Sequence, residues 1–371
     1  MSAKDTISPG RWARLVKSFR GRRIAVVGDW MLDRYVWGTA SRLSPEAAVP
    51  VVDFVKQSEC LGGAGNVAAN LAALGARVEA FGVHGEDEPG KALRACLRAL
   101  ALPEKGLLAD SSRPTTVKTR IIARHQQVVR VDREVRAPLR PEMESQLIRR
   151  VLASLGATDA VVLSDYDKGV VTDGVAERIL GACQRRGVPA FVKPKWSRLP
   201  TYKGAAAIVC NRAEAGFLVT RSLDDDESVG EAGRALLAHF GCPAVVITRG
   251  EQGISVFEQD HPAGFHIAAT SRELPYGRLG QSGADRSLSG RQVFDVTGAG
   301  DTVLATFALA VAAGAGMREA ALAANAAAGV VVGKLGTASV SPGELLIAVR
   351  EMPAAGTKHA RSGGRKGKAR R

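Results

Sequence analysis

The chain has 371 residues, 46% hydrophobic and 24% charged, with 51 Lys and Arg against 37 Asp and Glu for a formal charge of +14. These proportions exclude a mostly disordered chain, and 41 glycines without a triplet repeat exclude a collagen-like one. Half of the net charge, seven Lys and Arg with no acid, falls in 354–371, so the balance does not by itself describe a nucleic-acid-binding surface.

Residues 1–22 read as an N-terminal extension without the apolar core of a signal peptide. From there short β-branched runs alternate with Ala- and Leu-rich segments at helical spacing. In chain order they are a strand at Ile24–Val27, helices at Gly65–Leu74, Lys91–Ala101 and Pro141–Leu155, and a strand at Ala160–Leu163. A helix at Gly174–Arg186, strands at Ala190–Val192 and Ala207–Cys210, and a helix at Val229–Phe240 follow. Strands at Val245–Thr248 and Ile254–Phe257 and helices at Thr302–Ala313 and Glu319–Val332 complete the series. Continuous apolar strands separated by helices of this length imply a parallel sheet covered on both faces. Polar residues directly after these runs, Asp29, Ser164-Asp165, Lys193, Asn211 and Thr248, would then line one crevice at the carboxyl ends of the strands.

Two stretches break this rhythm. Residues 35–55 and 115–133 are rich in Val, Ile, Thr and Arg, and the second partly alternates polar with apolar, as exposed antiparallel strands do. Both leave near the crevice and are expected to form a small β-sheet lid. A third stretch, 271–292, reads as a long polar surface loop. Residues 351–371 read as a disordered basic tail with at most non-specific attraction to nucleic acid or anionic headgroups. The five cysteines are widely spaced without a CxxC pair, which predicts reduced thiols and a cytoplasmic protein. The most apolar stretch, Thr302–Met317, is too short to span a membrane.

Two motifs carry chemistry. In Asp295-Val296-Thr297-Gly298-Ala299-Gly300-Asp301-Thr302, a Gly-Ala-Gly turn enters an apolar helix. Its amides and the positive end of the helix dipole can cradle developing negative charge, such as that on a transferring phosphoryl group. Asp301 is either a base accepting a hydroxyl proton or an N-cap behind the turn. In the second motif Gly62-Gly63 precedes Asn66 in the first turn of an Ala-rich helix, where it could reach a ligand hydroxyl. Neither GxGxxG after the first strand nor GxxxxGK[ST] is present, which argues against a Rossmann dehydrogenase and a P-loop ATPase.

FDVTGAGDT with a GG-xx-N helix entry resembles the two signatures of the ribokinase-like (PfkB) sugar kinases. The segments 26–38, 41–52, 62–76, 163–172, 294–306 and 324–345 resemble one branch of it most, the bacterial D-glycero-β-D-manno-heptose-7-phosphate kinases. The resemblance covers roughly 23–350, taken as one kinase domain. It implies a three-layer α/β/α sandwich with a mostly parallel sheet and a lid, an ATP co-substrate, Mg²⁺, and homodimerisation through the lid.

It also implies roles. Asp301 would be the base, with Gly298, Ala299 and Gly300 as anion hole. Asp29, Asp33, Gly62, Gly63 and Asn66 would hold the sugar. Asn211 and Glu214 match an NxxE element in which Glu214 organises Mg²⁺ through water, the alternative being a first-turn helix acid that stabilises through the dipole. Thr248, Gly250 and Gly253 would form a nucleotide loop, with Asn325 beside it. Lys168, Lys195, Lys118 and Arg120 are the cations available for a substrate phosphate. One departure stands out: where the family commonly reads Asp-Pro-Lys-Gly, this chain reads Lys193-Pro194-Lys195-Trp196. No HxGH-type nucleotidyltransferase motif follows, so only the kinase step is expected. The rival expectations are a kinase of another sugar and a non-catalytic sugar- or nucleotide-binding protein.

Overall fold

The computed structural model describes residues 7–123, 126–195, 202–270, 297–334 and 337–352; the expected loop at 271–292, Trp196 and the tail from 353 onward lie outside them. The chain begins with helix α1 (Pro9–Lys17), then β1 (Arg23–Gly28), β2 (Trp30–Leu43), β3 (Pro50–Gly63) and α2 (Ala64–Ala73). There follow β4 (Arg77–Gly85), α3 (Glu88–Ala99), β5 (Leu107–Asp110), β6 (Thr116–Ala123), β7 (Gln126–Arg133) and α4 (Pro141–Ser154). Next come β8 (Ala160–Ser164), α5 (Asp173–Arg186), β9 (Ala190–Lys193), β10 (Ala207–Asn211), α6 (Arg212–Leu218) and α7 (Asp226–Phe240). The chain continues with β11 (Ala244–Thr248), β12 (Ile254–Glu258), β13 (His261–Ile267), α8 (Ala299–Ala312), α9 (Met317–Val331) and α10 (Pro342–Glu351).

Nine strands form the main sheet in the order β13-β12-β11-β10-β9-β8-β1-β4-β5. The strands from β11 to β5 pair in parallel, and only β12 runs against its neighbours. The period of two divides each strand between two cores. Ile24, Val26, Ala160 and Val162 face a layer containing α1, α2, α8 and α9, whereas Ala25, Val27, Val161 and Leu163 face α4, α5 and α7. This is the three-layer α/β/α sandwich expected. Strands β4, β5 and β13 were not foreseen: β4 carries Glu79 and His84 within its apolar run, and β5 has only four residues.

The extension expected at 1–22 is not an appendage over its described part. Ser8 caps α1, Pro9 opens it, and Trp12, Leu15, Val16 and Phe19 are buried in the same core as α9 and α10. Arg11 also pairs with Glu319 at 2.7 Å. The basic residues around that apolar stripe hid its i, i+3, i+4 spacing.

A second sheet runs β3-β2-β6-β7. Its two hairpins are antiparallel as expected, but β2 and β6 join them in parallel, because both leave the main sheet in the same direction. The first hairpin also reaches further, from Trp30 to Gly63, than the 35–55 expected. Strand β7 is exposed along its whole length. Among the described residues no helix is long and apolar enough to cross a membrane.

Candidate active site

Helix α8 starts at the end of the main sheet where β1, β8 and β9 finish. Gly298 precedes it with φ +83°, and a Cβ there would lie 2.6 Å from Asn66 Nδ2, so the turn needs glycine. The amides of Asp301 and Thr302 both donate to the Gly298 carbonyl at 3.0 Å. Asp301 is therefore the third residue of the helix, and its carboxylate caps nothing. It is buried, and points instead toward β8, β9 and α2.

Among the described residues three side chains hold it. Lys193 Nζ donates to Asp301 Oδ1 at 2.7 Å, the Tyr166 hydroxyl donates to the same oxygen, and Asn66 Nδ2 donates to Oδ2 at 3.0 Å. Lys193 also donates to Tyr166 Oη at 2.8 Å and lies 4.5 Å from that ring's centre. Behind Asn66, Asn70 donates to its carbonyl at 2.9 Å, and Thr302 Oγ1 donates to Asn70 Oδ1 at 3.0 Å. Burial alone would lower the Lys193 pKa, but Asp301, Tyr166 and Glu214 outweigh it, so the ammonium keeps its charge. Burial, and then the Asp301 carboxylate, push the Tyr166 phenol up, so it stays a donor.

The two first-strand acids divide differently from expectation. Asp29 accepts the backbone N–H groups of Tyr166 at 2.7 Å and Lys168 at 3.2 Å on Oδ2, and that of Val170 at 3.1 Å on Oδ1. It shapes the turn after β8 rather than facing a sugar. Burial pushes its carboxyl up and the three amides pull against it. Asp33, on β2, faces the site: Arg120 donates to its Oδ1 at 2.6 Å, and burial raises its pKa against that pull. A Cβ on Gly62 would come within 2.4 Å of Asp33 Oδ2, so this glycine gives the carboxylate its room. Gly63 ends the same strand, and the following amide, Ala64 N, donates to the Asp29 carbonyl at 3.0 Å. Arg120 is thus bound to Asp33.

Two cavities flank Asp301. One of about 520 Å³ is lined by Asn211, Glu214, Thr248, Gly250, Gly253 and Asn325, together with Ala299, Gly300 and Lys193. Every nucleotide-side residue expected from sequence therefore meets in one place. Asn211 and Glu214 form a reciprocal capping box at the start of α6: Asn211 Oδ1 accepts Glu214 N at 2.8 Å, and Glu214 Oε2 accepts Asn211 N at 2.9 Å. Glu214 Oε1 is left toward Lys195 Nζ, 3.5 Å away. Asn325 donates to the Ala268 carbonyl at 2.8 Å, so its amide group secures the cavity wall.

The second cavity, about 270 Å³, is lined by Lys118, Arg130, Arg136, Lys168 and Lys195 against Asp132, Glu134 and Asp167, with Tyr166 between them and Asp301. Glu134 bridges its centre, at 2.9 Å from Lys168 Nζ and 3.5 Å from Lys118 Nζ.

The chain matches the profile described as pfkB family carbohydrate kinase over residues 22–343. It belongs to that family. Similar proteins include the "Bifunctional protein HldE" of Pelobacter propionicus, 42% identical over 324 residues, or 87% of this chain and 62% of that one. The protein of the same name from Mesorhizobium japonicum is 42% identical over 338 residues, or 91% of this chain and 64% of that one. The chain thus spans less than two thirds of the length of these relatives. Among solved structures, Arabidopsis thaliana ribokinase complexed with ribose and ATP superposes with a TM-score of 0.68 at 19% identity, covering 89% of this chain and 99% of that one. Escherichia coli phosphofructokinase-2 gives 0.69 at 18%, again covering 89% and 99%. At such identities the likeness is one of fold.

This pfkB carbohydrate kinase carries site residues that sequence reasoning did not assign. Tyr166 and Lys193 hold Asp301, and Arg130, Glu134 and Arg136 furnish the charged cavity. A signal existed for the first two, since Lys193 ends β9 and Tyr166 lies two residues beyond the end of β8, both at the crevice. The lid residues gave none, because their charges pattern like those of any solvated strand.

Proposed function

We propose that this carbohydrate kinase transfers the γ-phosphoryl group of ATP to O1 of D-glycero-β-D-manno-heptose 7-phosphate, giving the 1,7-bisphosphate. The observation that carries this reading is the place of Asp301: buried, beside a glycine-rich helix start, between a nucleotide-sized cavity and one lined by cations. The sugar hydroxyl would give its proton to Asp301, and its oxygen would form the new P–O bond as the bond to the bridging β-oxygen breaks and ADP leaves. The amides of Ala299 and Gly300 at the start of α8 would stabilise the charge on the transferring group.

The cation-lined cavity suits a substrate that brings its own phosphate, with Lys168, Lys118 and Lys195 as its partners in exchange for Glu134. Asp33, Gly62 and Asn66 would hold the ring. The choice of a heptose rests on the resemblance of residues 41–52 and 324–345 to one branch of the family, and the HldE relatives agree with it.

Among the described residues no group of three or more His, Cys, Asp or Glu could hold a metal. A Mg²⁺ would arrive with the nucleotide, and Glu214, which lines the cavity, fits the role of accepting from its water shell. When bound, that ion would neutralise charge on the β- and γ-phosphates.

The wholly exposed β7, with Val128, Val129 and Val131, and the exposed Leu43, Phe54 and Val55 of the first hairpin support pairing of two copies through the small sheet. The widely spaced cysteines support a cytoplasmic location.

The deciding experiment is ATP turnover on a panel of heptose 7-phosphate, fructose 6-phosphate and ribose, with ³¹P NMR locating the new phosphate. New phosphate on O1 of the heptose is expected; turnover of the other sugars alone would overturn the substrate.

A further inference from the structure

Lys193 ends β9, where Ser164 pairs with it and its carbonyl accepts the Asp165 amide at 3.1 Å. Pro194 follows and favours an extended backbone at Lys193, with Lys195 next in the chain. The two lysines reach two acids of the site: Lys193 lies 2.7 Å from Asp301 and Lys195 lies 3.5 Å from Glu214. Lys193 is mostly buried and lines the larger cavity, and a Cβ built on Gly300 would come within 3.8 Å of its Nζ. The ammonium thus stands between the carboxylate and the first turn of α8.

Counting acceptor sites on Asp301 sharpens this. A carboxylate oxygen accepts about two hydrogen bonds. Among the described residues, Oδ1 takes one from Lys193 and one from Tyr166, whereas Oδ2 takes only that of Asn66. Among these residues one acceptor site remains, and it is on Oδ2. We propose that Lys193 is the positioning residue of the base: with Tyr166 it fills Oδ1, which leaves Oδ2 as the atom that takes the hydroxyl proton, and it supplies the fixed positive charge beside the transferring group. This rests on the reading of Asp301 as the base of a kinase. When Oδ2 takes the proton, Asp301 becomes neutral and Lys193 stays charged, so its ammonium can turn a hydrogen bond toward the incoming phosphoryl oxygens.

The test compares wild type with Lys193→Met, Lys193→Arg and Lys193→Ala, using the sugar that the panel accepts and, separately, basal ATP hydrolysis with water as acceptor. Lys193→Met is expected to lower kcat roughly 100-fold while both KM values stay within about threefold. Lys193→Arg should regain part of that loss. Millimolar ethylamine should restore kcat to Lys193→Ala about tenfold, and ethanol at the same concentration should not. Melting temperatures serve as control: a Lys193→Met protein that loses kcat only in proportion to folded protein overturns the proposal, as does kcat within threefold of wild type or the absence of amine rescue. Refusal of the heptose by wild type, with another sugar or water accepted in a Lys193-dependent way, overturns the substrate reading alone. Lys193-independent turnover of the heptose overturns the Lys193 proposal alone.

Discussion

The two sides of Asp301 are built from different materials. The larger cavity sets small residues and backbone after β11 and along α8 and α9, among them Gly250, Gly253, Ala299, Gly300 and Gly329, beside a few charged side chains such as Arg212 and Arg249, with Glu214 locked into a capping box. The smaller one is walled by long charged side chains from β6, β7 and the turn after β8. Small residues let a nucleotide approach main-chain groups, an arrangement with little freedom to vary. Long side chains on a surface sheet can be exchanged without disturbing the core, so that side is where one family can change its sugar.

The comparison can be broken at its centre. Asp301→Asn removes the acceptor charge but keeps the shape, and should lower kcat by roughly 1,000-fold or more while calorimetric binding of the sugar survives. Equal loss of binding and turnover would make Asp301 a structural residue.

At the helix start between the two sides, Gly298→Ala must place a Cβ 2.6 Å from Asn66 Nδ2 at a positive φ. We expect about 1–3 kcal/mol of lost stability and, through displacement of Asn66, a roughly 100-fold lower kcat. An unchanged kcat would show that the turn can move without moving the base.

On the sugar side, Lys168→Met should raise KM for a phosphorylated sugar about tenfold and leave that for a free sugar unchanged. Glu134→Gln should move the same KM downward, because it weakens the internal partner of Lys168 and Lys118. Movement in the same direction would refute the exchange of Glu134 for a substrate phosphate.

The smallest effect concerns the floor beneath both sides. Burial, with Asp29 nearby, pushes the Asp165 carboxyl up to about 7. Above about pH 4 the unfolded chain has released this proton, whereas the native protein holds it until near pH 7. This carboxyl therefore lowers stability as pH rises through that window. Asp165→Asn, which keeps one oxygen to accept from the Asp167 amide and can turn its Nδ2 toward the Tyr202 oxygen, should gain melting temperature over wild type at pH 8 and little at pH 5. An equal difference at both values would remove the titration.

Much of the site was legible because its chemistry is local. A glycine turn entering a helix, an Asn in the first turn of another, and an NxxE at a strand end are each complete within a few residues, and the structure brings them to one crevice. The parallel sheet was legible for the same reason, from apolar runs and helical spacing. Where local pattern misled, a distant partner won: Asp29 read as a ligand residue but its oxygens meet three amides of the turn after β8.

By itself the sequence determined the layered α/β architecture, the strand ends that meet, and Asp301 with its glycines, since these follow from periodicity and backbone conformation. Only the tertiary structure decided that Asp33 rather than Asp29 faces the site, that Arg120 is bound to it, and that Lys193 and Tyr166 hold Asp301. Those contacts join residues more than 80 positions apart, and a long charged side chain has no pattern of its own until its partner is in place.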